Sequence, residues 1–451
     1  MSLLLSIISH HWYDVRDLSN ITSEIRSLLG DAGAPGWTLY VVTALLGTLG
    51  IIAFIGGVAI INIWIERRVV GRMQSRLGPN RLGPFGLLQP VADAIKLMQK
   101  EVLQPRVADG LVFSLAPIAF TVPGIIVLAV VPWGPNMALA DLNVGVLYIL
   151  AMSSLGALAV FIGGYGSNNK YALFGSMRVI AMLVTYEIPS VLSLLGLVLF
   201  SGTMNLSDMV LFQQKYWIPL LLVQPLPFII YFIASSAELN RTPADLAEAE
   251  SEIAGGYHVE YSGMKFGLFY AAELINAVAI SAIIATVFLG GWWFYRLDEI
   301  VPGWIIFIGK IYAVYFLFVW TRGTLPRFRI DQLLAFAWKW MTPMAFLNIV
   351  LVAAEILIWD ETGASAGIVL PIYAVVNTAF AALLIFGWVK LMSPKFSRFP
   401  DRLRMYSRID VPSLPANAMM SAVPETGEPD GSGGHLGGAE SPRVLAEGPT
   451  A

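Results

Sequence analysis

Six carboxylates stand between Glu238 and Glu260, at positions 238, 245, 248, 250, 252 and 260, against one guanidinium, Arg241. If such groups pack together, their protons come off in steps that belong to the group, and the group can hold and hand on protons. If they are solvated, the same stretch is an ordinary acidic loop. Local signals predict a short helix over 243–254. Thr242 serves as N-cap, Pro243 takes the first position, Asp245 the third, and Gly255 or Gly256 ends it. On that helix Asp245, Glu248 and Glu252 share a face by i, i+3, i+7 spacing.

Two further carboxylates lie inside apolar stretches. Glu187 is the ninth residue of the stretch 179–200, so about 12 Å deep at helical rise. Pro189 follows and can open the helix ladder. Glu273 lies about two turns into its own stretch. An ionisable group at such depth is costly and marks a functional site, which favours the packed, proton-handling reading. Lys310 and Glu355 are weaker cases. Lys310 can snorkel, and Glu355 lies one turn from the outer surface, so both read as structural.

Two more loops are too patterned to be mere connectors. One opens Glu66-Arg67-Arg68 and continues Arg76-Leu-Gly-Pro-Asn-Arg81-Leu-Gly-Pro84, where Gly and Pro enforce turns. A helix is expected next, over Pro90–Gln104, with Val91, Ile95, Met98 and Val102 as an apolar stripe and Asp93, Lys96 and Lys100 on another face. Such a helix lies in a membrane interface. The other loop, 321–332, carries Arg322, Arg327, Arg329 and Asp331. Its Arg and Asp side chains brace the loop in pairs or face a headgroup or an adjacent subunit.

The elements that hold these groups are membrane helices. Of 451 residues, 57% are hydrophobic and 13% charged, with mean hydropathy +0.69. A soluble chain would carry about a quarter charged residues. Nine spans are expected: about Trp37–Ile65, Leu111–Trp133, Val144–Tyr165, Val179–Phe200, Trp217–Ala237, Phe266–Phe294, Trp304–Trp320, Thr342–Trp359 and Ile368–Val389. The stretches are long and lack alternation, so the fold class is all-α, a polytopic membrane bundle with amphipathic interfacial helices. Tryptophans at many ends form the interfacial belt.

Lysine and arginine orient the bundle. With the N-terminus outside, 22 of the 28 fall on the inner side, and the outer side holds Arg16, Arg26, Lys215 and Arg296. The sequence divides into an N-terminal extension (1–36), a membrane domain (37–392) and a tail (393–451) rich in Gly and Pro and expected to be largely disordered. Met1–Ser9 lacks a charged n-region and a cleavage site, so no signal peptide is expected. The chain has no Cys and four His, none within a span. Thiolate-bound clusters, disulfides, Cys nucleophiles and a bis-His membrane haem are thereby excluded. No metal site is expected, and a net charge of −3 excludes a generally basic nucleic-acid binder.

The patterned loops carry a resemblance. Glu66-Arg-Arg, Arg76-Leu-Gly-Pro-Asn and Gly-Pro-Phe-Gly-Leu-Leu-Gln-Pro-Val-Ala-Asp93-Ala-Ile-Lys96 resemble the signature of the H-type membrane subunit of respiratory complex I, known as ND-one in mitochondria. The stretch from Glu238 to Glu252, with Val-Glu260-Tyr261-Ser-Gly, resembles its second signature. Pro326-Arg-Phe-Arg329-Ile-Asp331-Gln332 resembles a third. The likeness covers about residues 37–392. Leu239, Thr242 and Ala244 differ from the commoner residues but leave every acidic position intact.

That resemblance implies a place between the redox arm and the proton-pumping membrane arm of a bacterial plasma-membrane complex, with the C-terminus cytoplasmic. Quinone, either ubiquinone or menaquinone, is the implied substrate, and flavin and iron–sulfur clusters belong to partner subunits. Arg67, Arg76, Asp93 and Arg322 would line the quinone chamber. Glu187, Glu238, Asp245, Glu248, Glu250, Glu252 and Glu273 would form the acidic path into the membrane. Arg241, Glu260, Arg327, Arg329 and Asp331 would brace loops or meet neighbouring subunits. The membrane subunit of an energy-converting hydrogenase shares the fold and part of the first signature. A stand-alone ion-coupled transporter also accommodates intramembrane carboxylates, but no inverted repeat is apparent. A structural anchor leaves Glu187 and Glu273 without a purpose.

Overall fold

Asp109, Asn169 and Asn205 each stand just before a helix and accept a backbone N–H of its first turn, from Leu111, Tyr171 and Ser207. Such caps fix where helices begin. The computed structural model describes residues 35–135, 137–245, 256–297 and 300–396. In chain order its helices are α1 (Gly36–Met73), α2 (Gln89–Gln99), α3 (Gly110–Val130), α4 (Gly145–Gly166), α5 (Lys170–Ser201) and α6 (Leu206–Tyr216). Then come α7 (Leu220–Val223), α8 (Pro225–Glu238), α9 (Gly263–Val287), α10 (Gly303–Thr324), α11 (Ile330–Phe336), α12 (Thr342–Thr362) and α13 (Ala366–Phe396). No strand occurs among the described residues. The described residues up to Trp388 form one compact unit, and those from Val389 to Phe396 are the end of α13.

Eight helical runs among the described residues are long and apolar enough to cross a membrane, with α11 and α12 forming one run. The all-α polytopic bundle is therefore as expected, and eight of the nine expected spans are continuous helical runs. The fifth expected span, Trp217–Ala237, is broken. Trp217 has a positive φ, and the chain re-forms helix only as α7 and, after Gln224, as the 14-residue α8. Pro225 and Pro227 have no N–H, so the carbonyls of Leu221 and Val223 lack their usual i+4 donors.

Other boundaries move too, and three of them bear on the site. The helix expected to run to Gln104 stops at Gln99, because the N–H of Leu103 donates instead to Ser262 Oγ, 2.8 Å away. The α2 helix leaves Ile95 and Met98 exposed and turns Leu97 toward Gly267 of α9. The helix expected from Val179 begins at Lys170, where Asn169 caps it and Gly175 packs against Gly256. The helix expected to run to Phe294 ends at Val287. Gly290 and Gly291, both with positive φ, turn the chain, and Lys310 donates to the carbonyls of Leu289, Gly291 and Trp293 at 2.6, 2.9 and 2.5 Å. Lys310 is thus a buried clamp rather than a snorkelling side chain.

The core centres on α9, where Leu274, Ile275, Val278, Ile283 and Ile284 are buried. It packs against α3, α10 and α1. This places the polar stripe of α9 inside the bundle.

Candidate functional site

Glu66 lies near the C-terminal end of α1 and is 6% exposed. Its carboxylate accepts from Arg241 Nη2 and from the Tyr315 hydroxyl, each at 3.1 Å, and from Arg322 Nη1. Arg241 comes from the turn after α8, Tyr315 and Arg322 from α10. The Arg241 guanidinium also lies over the Tyr315 ring, 5.6 Å from its centroid. Burial alone would lower the proton affinity of Arg241, but Glu66, then Tyr315 and Glu273, reverse this and hold it above the usual arginine value. Glu273 therefore acts on the same cation from α9.

This cluster borders a cavity of about 440 Å³ lined by Glu66, Arg67, Arg76, Asp245, Tyr270, Arg322 and Arg327, among others. Four guanidiniums face two carboxylates there. Arg67 of α1 donates to Asp93 of α2 at 2.5 Å, and Asp93 stands behind the lining. Arg76 donates to Gln74 Oε1 at 2.7 Å. Arg327 donates to Asp245 at 2.6 Å. Asp245 is 2% exposed and its Oδ1, like Arg241 Nη1, has no hydrogen-bond partner within the described chain. Buried polar atoms are seldom left unpaired in folded proteins.

Deeper in the bundle is a second, smaller cavity of about 80 Å³, bordered by Glu187 of α5, Glu238 and Tyr231 of α8, Ser190 and Asn276. The Ser190 hydroxyl bonds Glu238, and the charges of Glu187 and Glu238 act on each other. Lys170–Ser201 places Glu187 in mid-helix, about 21 Å from its far end. The two cavities share α9. Tyr270 lines the outer one and Asn276 the inner, with Glu273 midway on the same stripe, each step advancing about 4.5 Å. Arg241 follows Glu238 by three residues and provides a second link.

Other sequence-predicted residues stand apart. Glu260 accepts from Asn169 Nδ2 at 2.7 Å, in a separate groove with Asp109 and Lys170. Arg329 and Asp331 are exposed at the start of α11 and form no ion pair among the described residues. Residues 242–244 form a turn, closed by the Ala244 N–H donating to the Arg241 carbonyl, where the helix over 243–254 is expected to begin. The rest of that helix, with Glu248, Glu250 and Glu252, lies outside the described residues.

Comparison with known proteins decides the family. A model described as NADH dehydrogenase matches residues 46–353. The chain belongs to the NADH dehydrogenase family. Similar family members include the H-type subunit of the NADH-quinone oxidoreductase of Dehalococcoides mccartyi strain CBDB1, 52% identical over 299 residues, or 66% of this chain and 83% of that one. That of Brevibacillus brevis is 44% identical over 333 residues, covering 74% and 98%. That of Geobacillus kaustophilus is 47% identical over 320 residues, covering 71% and 95%. The resemblance to the H-type subunit of complex I read from the loops is thereby borne out, and the chain is a multi-pass membrane subunit of that complex. The NADH dehydrogenase match takes in Glu66, Glu187, Arg241, Glu273 and Arg322 and stops before Glu355.

Sequence reasoning misses the centre of this site. From sequence, Glu66 is only part of a charged exit from the membrane, and Tyr270 and Tyr315 are apolar span residues. The signal that could find it is a carboxylate still inside an apolar helix with an arginine following at once.

Proposed function

We propose that this complex I subunit admits quinone to the arginine-lined cavity and couples its reduction to proton translocation through the carboxylates that lead inward. The observation that carries the reading is the α9 stripe, Tyr270–Glu273–Asn276, which joins the Glu66 cluster to the Glu187–Glu238 cavity.

Reduction of a quinone to a quinol takes two electrons and two protons. This chain has no Cys to hold a cluster, and on this reading the electrons come from iron–sulfur clusters on partner subunits, which close the chamber from the cytoplasmic side. The chain's own residues bind and orient the substrate. Arg67, Arg76 and Arg322 and the Tyr270 hydroxyl are donors suited to carbonyl oxygens that gain negative charge during reduction. Glu66 keeps Arg322, and the buried Arg241 beside it, from being stranded. When charge in the chamber changes, the Glu66–Arg241–Arg322 cluster re-pairs. Arg241 then leans more or less on Glu273, and the proton affinities of Glu273, Glu238 and Glu187 follow. In this reading the cluster serves as the two-state element that a coupling argument needs. Asp245, Glu248, Glu250 and Glu252 belong to the same path, beside Arg327 and Arg241.

The excess of lysine and arginine supports an orientation with the N-terminus outside a bacterial plasma membrane and the chamber and C-terminus on the cytoplasmic side. Small membrane-arm subunits are the neighbours that would receive the protonation change.

The test is Glu187→Gln in the complete complex. Assembly is retained, and NADH:quinone reductase activity or proton pumping falls. Wild-type activity and wild-type pumping in that variant would remove Glu187 from the path.

A further inference from the structure

A second set of polar residues lies away from both cavities, between α5, α12 and α13. Glu355 is 5% exposed. One carboxylate oxygen accepts from Asn377 Nδ2 at 3.2 Å, and the other has no partner among the described residues. The Tyr373 hydroxyl donates to the Glu355 backbone carbonyl at 2.8 Å. Asn348 lies two turns earlier on the same face of α12, 2% exposed, with its Nδ2 also without a partner among the described residues. Opposite it is Gly196 of α5, where a Cβ would come within 3.1 Å of that nitrogen. Buried polar atoms without partners are costly and uncommon in native proteins.

A series of small, mostly polar residues on α5 runs from the inner cavity toward them. On α5, Glu187, Ser190, Ser193 and Gly196 follow at steps of three, each about 60° short of a full turn, so the series winds from the cavity side toward α12. Ser190 and Ser193 are each 1% exposed, and Ser193 Oγ donates to the Ser190 carbonyl at 2.7 Å. By helical rise Glu355 lies about 20 Å beyond Thr342, toward the end of the bundle away from Arg322. Tyr373 is a titratable side chain beside it on α13, and Gly196 and Phe200, which α5 sets against α12, carry no charge; Asp360 and Glu361 on its own helix are exposed. No ion pair to Glu355 forms among the described residues.

We infer that Glu355, held by Asn377, is a proton-binding site on the outer half of the bundle, reached from Glu187 by way of Ser190, Ser193 and Asn348. The step is a simple transfer. A proton arriving from the Ser190 side forms the carboxyl O–H bond, and that bond breaks to water on the outer side. The site gives an outlet to protons that the coupling path moves inward, and it rests on that reading of Glu187 and Glu238. An amide at 377 suits it, since Asn377 can donate to the carboxylate or accept from the carboxylic acid.

The test uses the whole complex in inside-out membrane vesicles. With Glu355→Gln, NADH:quinone reductase activity stays at the wild-type level and proton uptake per NADH is lost or reduced, with recovery in Glu355→Asp. Unchanged uptake per NADH overturns the inference and leaves the Glu187 reading standing. A deficit in Glu187→Gln alone has the same meaning. In the wild-type complex, dicyclohexylcarbodiimide, which attacks protonated carboxyls in apolar surroundings, modifies Glu355 as mapped by mass spectrometry. This readout holds even if the variants fail to assemble, and an unmodified Glu355 overturns the inference.

Discussion

Replacing Glu66 with Gln keeps the shape of the side chain and removes its charge from between two guanidiniums. The two partners respond differently. The Arg322 side chain is 31% exposed, so water takes over much of its charge and its share is at most about 1 kcal/mol. The Arg241 side chain is 6% exposed, and a buried cation stranded by loss of its partner costs about 3–5 kcal/mol. The Gln oxygen still accepts from Tyr315, and Glu273 still acts on Arg241, which places the loss near the low end, about 3 kcal/mol. That is roughly a hundredfold in an equilibrium constant. The assay is survival of the assembled complex on heating in mild detergent, followed by NADH:quinone reductase activity. It is run on Glu66→Gln, Arg241→Met and the double variant. If the stranded cation is the cause, the double variant is more stable than the two single losses added together, by about 2 kcal/mol. Strict additivity would refute the reasoning and reduce the cluster to independent contacts.

Further outcomes follow from the same geometry. Lys310→Met leaves three carbonyls without their donor and lowers stability by about 1–3 kcal/mol, seen as earlier heat dissociation, while activity per assembled complex is unchanged. Burial pushes the proton affinity of the His258 imidazole below its usual value of 6.5. Its neutral form is the folded one, so that stability is complete above pH 6.5 and falls as pH drops through the lower folded value. Heat dissociation measured across that range should be steeper in wild type than in His258→Phe.

Much of the fold is legible because its signals are local. Length and hydropathy mark the spans, though hydropathy passes over the caps Asn169 and Asn205 and so misplaces the start of α5 and misses α6. The broken helix is not, because a hydropathy window averages over Pro219, Pro225 and Pro227 and sees only an apolar run. The early end of α2 is hidden for another reason: Ser262, which takes the Leu103 N–H, lies 159 residues further on. The same holds at the site. Depth alone singles out Glu187 and Glu273. Glu66 draws its partners from 175 and 256 residues away, and nothing in its immediate neighbours specifies that meeting. From sequence Glu355 lies near a surface, yet α13 closes over it.

The Lys310 clamp bears on how the chain is made. A lysine at the centre of a nascent span resists insertion by about 2.5–3.5 kcal/mol. Its three acceptors precede it by 17–21 residues, so they have already emerged from the ribosome when it does. The hairpin of α9 and α10 can therefore satisfy the ammonium before either helix is released into lipid. Synthesis order thereby offers a way for a buried charge to be tolerated during insertion.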